Sequence, residues 1–302
     1  MPDTAAQTAQ TKGKSLEKKR VLLTVAYDGT DYNGWQIQPG GRTIEGELKN
    51  ALGQLLGKEA EIIGASRTDA GVHALCNKAV FDTEAKMPAE KFSYALNTYL
   101  PENIRIVSSC QVPADFHPRK IPCRKTYIYR IWNAQFPDPT KRLYSYFTYV
   151  PLDTERMRKA ASYLVGTKDF AAFSTYKPEV QSTVRTVNGI EIRETGSYTK
   201  GGNGGDIESA DALRSKDISG YDGISDEKGS RGKMIEIHVT GEGFLYHMVR
   251  IIAGTLMEVG KGKTEPETIE QILLSCDRNQ AGPTAPACGL TLAEHRYVNK
   301  DT

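Results

Sequence analysis

The order of the hydrophobic patterns along the chain constrains its fold more than any other feature of the sequence. An apolar run over 20–27 predicts a buried strand, and apolar residues at helical spacing predict a helix between Thr43 and Gly57. The patterns that follow predict a strand, a second strand, a helix and a third strand, over 61–64, 74–81, 88–99 and 103–112. This order, β-α-β-β-α-β, is typical of the ferredoxin-like arrangement.

The second half of the chain repeats this order loosely. Its patterns predict, in turn, a strand, a helix, two strands, two helices and a strand, over 127–132, 153–164, 184–193, 234–239, 244–259, 266–274 and 290–298. Asp153 is the expected cap of the first of these helices, and Gly166 its expected end. We therefore predict an α+β fold in which two ferredoxin-like units form a continuous, mainly antiparallel sheet with helices on one side.

The domain organisation follows from where these patterns stop. Residues 1–19 are polar and show no period, so they are predicted to be a disordered tail. The two domains are expected over 20–115 and 116–300. Within the second, a stretch at about 195–233 is rich in Gly, Ser, Asp and Lys and has no apolar face to bury, which predicts a flexible insertion without a catalytic part.

Composition excludes several classes of protein. No apolar run in the 302 residues is long enough to span a membrane, and the N-terminal tail lacks the apolar core of a secretory signal. The five cysteines are widely spaced and form no C-x-x-C pair, which argues against a disulfide framework and a thiolate zinc site. These features indicate a cytoplasmic protein. A net charge of +2 is compatible with RNA binding if the positive charge is concentrated on one face.

The first candidate site is the segment 67–73, Arg-Thr-Asp-Ala-Gly-Val-His, which connects two predicted strands. Asp-Ala-Gly is ordinary turn material, because an Asp side chain bonds to its own backbone and Gly accepts a positive φ. A turn is therefore the commoner explanation of the local pattern. The same loop also holds a guanidinium, a hydroxyl, a carboxylate and an imidazole, and this density makes it a candidate site.

A second candidate is the segment 117–130, in which five Lys and Arg residues are interleaved with aromatic residues. On the predicted strand Tyr127 and Tyr129 share one face, while Arg130 lies on the other. Such groups can neutralise phosphates and stack on unpaired bases. A solvated sheet edge with two core tyrosines explains the pattern equally well.

A third candidate is the segment 241–254, where Gly-x-Gly precedes an apolar helix pattern that contains Arg250. Gly-x-Gly at a helix start can cradle a phosphate, although the third glycine of the dinucleotide fingerprint is absent. Apolar neighbours on both sides of Arg250 favour a buried guanidinium that needs an anionic partner over an exposed stripe. The segment 281–290, rich in Pro and Gly, predicts only a rigid loop before the last strand.

Other chemistries lack their motifs. The five histidines show no H-E-x-x-H spacing, and no G-x-S-x-G elbow is present. The segment 260–264, Gly-Lys-Gly-Lys-Thr, is not a phosphate-binding loop, because Met257 stands where the first glycine is needed.

Taken together and in this order, these segments resemble the TruA family of tRNA pseudouridine synthases. The matching stretches are 27–36, 67–73, 124–130, 241–254 and 285–290. The resemblance runs from about Arg20 to Val298, interrupted by the predicted insertion, and the Arg-Thr-Asp-Ala-Gly-Val-His loop is its most specific part.

The resemblance implies an enzyme that isomerises uridine to pseudouridine in the anticodon stem-loop of tRNA, at positions thirty-eight to forty, without a metal or an organic cofactor. It implies that the target nucleotide is flipped out of the stem and that Asp69 acts as the nucleophile. Whether Asp69 attacks the anomeric carbon or ring carbon six stays open. Arg250 would be the ion-pair partner of Asp69 and would keep it ionised.

The resemblance also implies the substrate-binding residues and the assembly. Tyr127 would stack on the flipped base, Arg67 would reach into the RNA, and Leu290 would form part of the apolar wall. His73 has no implied catalytic role and is expected to be structural. A homodimer would share one tRNA, which lies in an RNA-binding cleft between the two units.

Two other functions remain open at this point. The first is a non-catalytic RNA-binding protein on the same scaffold. The second is a metal-assisted phosphodiesterase that uses Asp69 and His73, although the sequence shows no second acidic motif for it. Sensitivity to EDTA separates the phosphodiesterase from the synthase.

Overall fold

The computed structural model describes residues 18–175, 181–195 and 232–298, and these fall into two compact units. The first unit ends at Pro122 and takes up the chain again at Tyr297, while the second spans Cys123–Arg296. The predicted tail, apart from its last two residues, and residues 196–231 of the predicted insertion lie outside the described residues. Each unit combines strands and helices, so the α+β class is confirmed.

The first unit contains four strands and two helices among its described residues. They are β1 (Lys19–Tyr27), α1 (Ile44–Leu56), β2 (Ile62–Gly64), β3 (His73–Thr83), α2 (Phe92–Leu96) and β4 (Ile104–Val112). The strands lie in the order β4-β1-β3-β2, and each neighbouring pair is antiparallel. β1 and β2, which α1 connects, are thus separated in the sheet by β3.

Local signals explain the best-predicted helix, α1. The Thr43 side chain accepts a hydrogen bond from Gly46 N, and Gly57 takes a left-handed conformation at φ 66° after the last turn. Alternate residues of β1 are fully buried, and the Phe81 ring of β3 meets the Phe92 ring of α2 edge to face at 5.2 Å. The core of this unit therefore lies between its helices and one face of its sheet.

The second unit contains six strands and three helices among its described residues. They are β5 (Cys123–Asn133), β6 (Tyr146–Thr148), α3 (Thr154–Ser162), β7 (Gly166–Asp169), β8 (Val184–Thr195), β9 (Lys233–Gly241), α4 (Met248–Gly260), α5 (Thr268–Ser275) and β10 (Leu290–Tyr297), whose last residue belongs to the first unit. The sheet order is β10-β5-β9-β8-β7, with β6 parallel to β5. The pairs of β9 with β5 and β8, and of β7 with β8, are antiparallel.

Three predicted helices have different bounds in the structure. α2 ends at Leu96, so Tyr99 is not on its buried face and is 44% exposed. α3 ends at Ser162, and Gly166, predicted as its end, begins β7 at φ 107°. α4 begins at Met248, four residues later than predicted, because His247 takes a left-handed conformation at φ 62° that a helix cannot include.

Two further features were not predicted: the short strands β6 and β7. No helix in the part of the chain that the structure describes has both the length and the apolar character needed to cross a membrane.

Candidate active site

The segment 65–72, called here the Asp69 loop, connects β2 to β3 and forms a turn at its far end. Val72 N donates a hydrogen bond to Asp69 O at 3.1 Å, and Gly71 adopts φ 77°, as a turn with a left-handed third residue requires. Asp69 is half-buried, whereas Arg67 is exposed. The sequence analysis offered a turn and a functional site as alternative explanations of this segment. The structure shows the turn, and Asp69, the predicted site residue, lies within it.

Asn77, a fully buried residue of β3, holds the start of the Asp69 loop. Its Oδ1 accepts from Ser66 N at 3.2 Å, and its Nδ2 donates to Ser66 O at 2.9 Å. The Nδ2 also donates to the Tyr27 hydroxyl at 3.2 Å. One side chain therefore satisfies both main-chain groups of Ser66, which would otherwise be buried without partners.

Tyr27, the last residue of β1, extends this network to the residue before Asp69. Its hydroxyl lies 2.8 Å from Thr68 Oγ1, and both side chains are buried. Burial raises the pKa of the Tyr27 phenol, so the hydroxyl stays neutral at physiological pH. Asn77 and Tyr27 together fix the side chain and main chain on the N-terminal side of Asp69.

The backbone of residues 32–35 supports the Asp69 loop from outside. Trp35 N donates to Thr68 O at 3.0 Å, and Gly71 N donates to Tyr32 O at 3.2 Å. Gly34 has φ 84°, and a Cβ at this position would lie 2.5 Å from Thr68 O. Only glycine combines this conformation with this close approach.

His73 follows the Asp69 loop as the first residue of β3, where it is 4% exposed. Its Nδ1 accepts a hydrogen bond from Gly29 N at 3.1 Å and lies equally close to an Asp28 carboxylate oxygen. These contacts join the turn after β1 to the end of the Asp69 loop, as a structural residue would do.

In the second unit, β5 places Tyr127 and Tyr129 on its buried face. Tyr127 is 8% exposed, and its ring meets the Phe244 ring edge to face at 5.4 Å. The Tyr129 hydroxyl donates to Pro286 O at 2.9 Å. The prediction that the two tyrosines share one face is confirmed, but β5 lies between β10 and β9 and is not a sheet edge.

Arg250 lies in the first turn of α4, a helix whose other residues are buried except for Glu258. Its Nε donates to Ala285 O at 2.7 Å, while Ala285 N donates to Arg250 O at 3.1 Å. Arg250 is half-buried, which is intermediate between the buried guanidinium and the exposed position that the sequence analysis compared. The predicted ion pair between Asp69 in the first unit and Arg250 in the second stays a prediction.

The segment 281–286, called here the proline loop, packs tightly against α4. A Cβ on Gly254 would lie 1.8 Å from Pro283 O, and Gly282 N donates to Thr255 Oγ1 at 2.9 Å. Arg278 holds the same loop from the other side through hydrogen bonds to main-chain oxygens and to Thr284. The loop that the Pro and Gly pattern predicts before the last strand is confirmed, and these contacts are consistent with its predicted rigidity.

Leu290 begins β10, next to β5, and is buried. Nearby, burial raises the pKa of the Cys288 thiol and the pKa of the Tyr129 phenol. The positive charge of Arg250 partly offsets this effect, because it lowers both pKa values. Arg250 thus lies close to the groups at the start of β10. Gly241 and Gly243, in contrast, belong to the end of β9 and the following loop, so the two glycines do not stand at a helix start as a phosphate cradle requires.

Asn77 and Tyr27 are the site residues that the sequence analysis missed. No signal in the sequence singled out Asn77, because the buried residues of β3 also include the polar side chains of His73 and Thr83. Within the described ranges, no group of three or more His, Cys, Asp or Glu side chains is arranged to hold a metal ion.

Comparisons with known proteins place this sequence among RNA-modifying enzymes. The sequence profile of a family described as tRNA pseudouridine synthase matches residues 23–119 and 160–298. A protein of Clostridium tetani named tRNA pseudouridine synthase A 2 is 42% identical over 281 residues, which are 92% of this chain and 99% of that protein. Proteins named tRNA pseudouridine synthase A from a Thermoanaerobacter species and from Acetivibrio thermocellus are 40% and 39% identical over 279 residues, with 92% of this chain and 100% of each relative covered.

The similarity to solved structures is weaker. The crystal structure of the archaeal box H/ACA sRNP Nop10-Cbf5 complex aligns with 90% of this chain and 46% of that chain, at 11% identity and a TM-score of 0.27. A TM-score this low carries no argument about the fold, so the comparison rests on sequence.

Proposed function

Because the chain belongs to the tRNA pseudouridine synthase family, we propose that it isomerises uridine to pseudouridine in the anticodon stem-loop of tRNA, at positions thirty-eight to forty. The observation that carries the proposal is the 42% identity over nearly the whole length of a relative named for this activity. The reaction breaks the bond between N1 of uracil and the ribose, and joins the ribose to ring carbon five instead. Carbon five loses a proton and N1 gains one, so the base is isomerised without net change.

Asp69 is the proposed nucleophile. A carboxylate is anionic at neutral pH, can form a covalent adduct and can leave again. Its position in a loop whose main chain is held by Asn77 and Trp35 supports this role, since a nucleophile must be held within fractions of an ångström of its target. Arg250, the one cation on the buried part of α4, is proposed to pair with Asp69 and to keep it ionised.

The base-binding side of the site is proposed to come from the second unit. The Tyr127 ring would stack on the flipped uracil, and its contact with Phe244 would keep the ring from rotating. Leu290, buried at the start of β10, would contribute apolar wall. Arg67, exposed on the Asp69 loop, would enter the RNA and help to hold the base out of the stem.

The proposal includes the finer architecture and assembly that the sequence predicts. The strand order β4-β1-β3-β2, with β1 and β2 separated by β3, supports a ferredoxin-like first unit. The corresponding order β10-β5-β9-β8 supports a second unit of the same kind. An RNA-binding cleft between the units, a homodimer and a cytoplasmic location belong to the same proposal.

The test is to map pseudouridine in tRNA transcripts after incubation with the protein. Carbodiimide treatment followed by primer extension stops reverse transcription at pseudouridine and so reports the position. We expect stops at positions thirty-eight to forty, unchanged by EDTA. Stops only elsewhere in the tRNA would reject the position, and loss of all modification with EDTA would reject the metal-free reaction.

A further inference from the structure

The segment 113–122, which follows β4 in the first unit, holds Arg119 in a fixed backbone position. Phe116 N donates to Pro113 O, and Lys120 N donates to His117 O, both at 3.0 Å, so the chain makes two successive turns. Arg119 N donates to His117 Nδ1 at 3.2 Å. The Phe116 ring also meets the Tyr297 ring edge to face at 5.3 Å, which ties these turns to the rest of the unit.

The Arg119 side chain is anchored beside the Asp69 loop. Its Nε donates to Gly64 O at 2.9 Å, and Gly64 is the last residue of β2, directly before that loop. The side chain is otherwise exposed. In the described part of the chain no carboxylate lies within ion-pair distance of its guanidinium, and the anchor uses one of the five N–H groups of an arginine.

Two other arginines of the same unit show what a structurally paired guanidinium looks like. Arg20 donates through Nε and Nη2 to both carboxylate oxygens of Asp82, each at 2.8 Å. Arg42 donates through Nε to Glu47 at 2.8 Å. A carbonyl oxygen, in contrast, orients the Arg119 guanidinium without neutralising its charge.

We propose that Arg119 binds a backbone phosphate of the substrate RNA next to the nucleotide that reaches Asp69; this inference rests on the proposed function. A phosphodiester offers two anionic oxygens, which match the two outward nitrogens of an arginine fork. The anchor on Gly64 and the turns of the segment 113–122 reduce the entropy lost when the fork closes on its ligand. Arg67, exposed and also without a carboxylate partner among the described residues, is a second cation and lies on the Asp69 loop itself.

The test compares tRNA binding by wild type, Arg119→Ala, Arg119→Lys and the control Arg105→Ala. Arg105 is an exposed arginine of β4 that likewise bonds only to main-chain oxygens, those of Pro101 and Ile104. All four proteins carry Asp69→Asn in this measurement so that the tRNA is not converted, and dissociation constants are measured for an unmodified tRNA transcript over a range of salt concentrations. Each phosphate contact contributes about 0.7 to 0.9 to the slope of log affinity against log salt.

For Arg119→Ala we expect roughly tenfold weaker binding and a salt slope shallower by the contribution of one phosphate. Arg119→Lys keeps the charge and the slope but binds more weakly than wild type, because lysine cannot form a fork. Arg105→Ala should match wild type in both quantities.

An unchanged salt slope in Arg119→Ala overturns the inference, whether or not the melting temperature falls. The same change of slope in Arg105→Ala also overturns it, since any exposed cation would then contribute. The proposed function fails by a different observation, namely that wild type forms no pseudouridine in tRNA. Binding is measured without turnover, so the two failures are distinguishable.

Discussion

The Asp69 loop of the first unit and the region around Arg250 in the second are held in place by different kinds of contact. Side chains of Asn77 and Tyr27 reach the Asp69 loop and satisfy its polar groups. Around Arg250, the half-buried side chains of Arg250 and Arg278 donate to main-chain oxygens of the proline loop, and the absence of a side chain at Gly254 lets that loop lie against α4. The first region therefore depends on fully buried polar side chains, and the second on partly exposed ones together with the space kept free at Gly254.

This difference predicts which substitutions damage each region. A lost hydrogen-bonding side chain leaves buried partners unsatisfied, whereas an added methyl group in a filled space forces the backbone apart. The Asp69 loop should be sensitive to isosteric loss of polar atoms and the proline loop to small increases in volume.

The largest effect is expected for Gly254→Ala, which tests the packing of the proline loop. The new Cβ would lie 1.8 Å from Pro283 O, a backbone atom that cannot move alone. We expect a loss of about 3 kcal/mol in the free energy of unfolding, measured with urea. As a control, Gly53→Ala on α1 meets no atom within 4 Å and should stabilise the protein by about 0.5 to 1 kcal/mol. Equal stability of the two variants would contradict the account.

The next largest effect is expected for Asn77→Leu, which removes the clamp on Ser66. Two buried main-chain groups lose their partners, so the free energy of unfolding should fall by about 2 to 3 kcal/mol. Displacement of the Asp69 loop should lower kcat by about a hundredfold.

Asn97 provides the matched control for Asn77, because its amide makes the same pair of bonds to the main chain of Ile106 on β4. Asn97→Leu should lose stability but keep kcat. If both variants lose kcat equally, the clamp on Ser66 has no special role in the site.

A smaller effect is expected for Tyr27→Phe, which removes one hydroxyl from the network. Thr68 Oγ1 and Asn77 Nδ2 lose a partner, at a cost of about 1 kcal/mol in stability. We expect kcat to fall while KM stays close to that of wild type. Tyr32→Phe is the control, since the Tyr32 hydroxyl bonds to Asn103 instead, and it should leave kcat unchanged. A larger fall of kcat in Tyr32→Phe would reject the network as a positioning device.

The smallest effect concerns acid stability and the pair of Arg20 with Asp82. Hydrogen bonds from Arg20 lower the pKa of the Asp82 carboxyl in the folded state. A depressed folded pKa contributes stability that is present above the unfolded value of about 3.9 and is lost as pH falls through the folded pKa. Asp82→Asn should therefore flatten the decrease of unfolding free energy below about pH 4, by at most about 1 kcal/mol. If Asp82→Asn and wild type lose unfolding free energy equally as the pH falls, the pair contributes nothing to stability.

Features set by local sequence were predicted well. Thr43 and Gly57 define the ends of α1, because a hydroxyl cap and a left-handed glycine act within a few residues of where they stand. The start of α4 was predicted too early, because His247 takes a left-handed conformation that the apolar pattern around it does not reveal. α3 is shorter than predicted because Tyr163 and Leu164 bond three residues back and end the helix.

The residues of the candidate site were also predictable only where local sequence determines their role. The Asp69 loop could be found from its own residues and from its resemblance to a family. Asn77 and Tyr27 could not, because their role depends on the register of β1 with β3, in which Val25 lies opposite Asn77. A pattern of single residues does not contain that register.

Release of tritium from tRNA labelled at carbon five of uridine tests the central claim most directly, because that carbon loses its hydrogen when the ribose is joined to it. The account predicts release by wild type, none by Asp69→Asn, and full release by Asp31→Asn, an exposed carboxylate of the same unit. Asp69→Asn keeps the size of the side chain and removes its charge. Release by Asp69→Asn at the wild-type rate, or no release by wild type from any tRNA, would contradict the account.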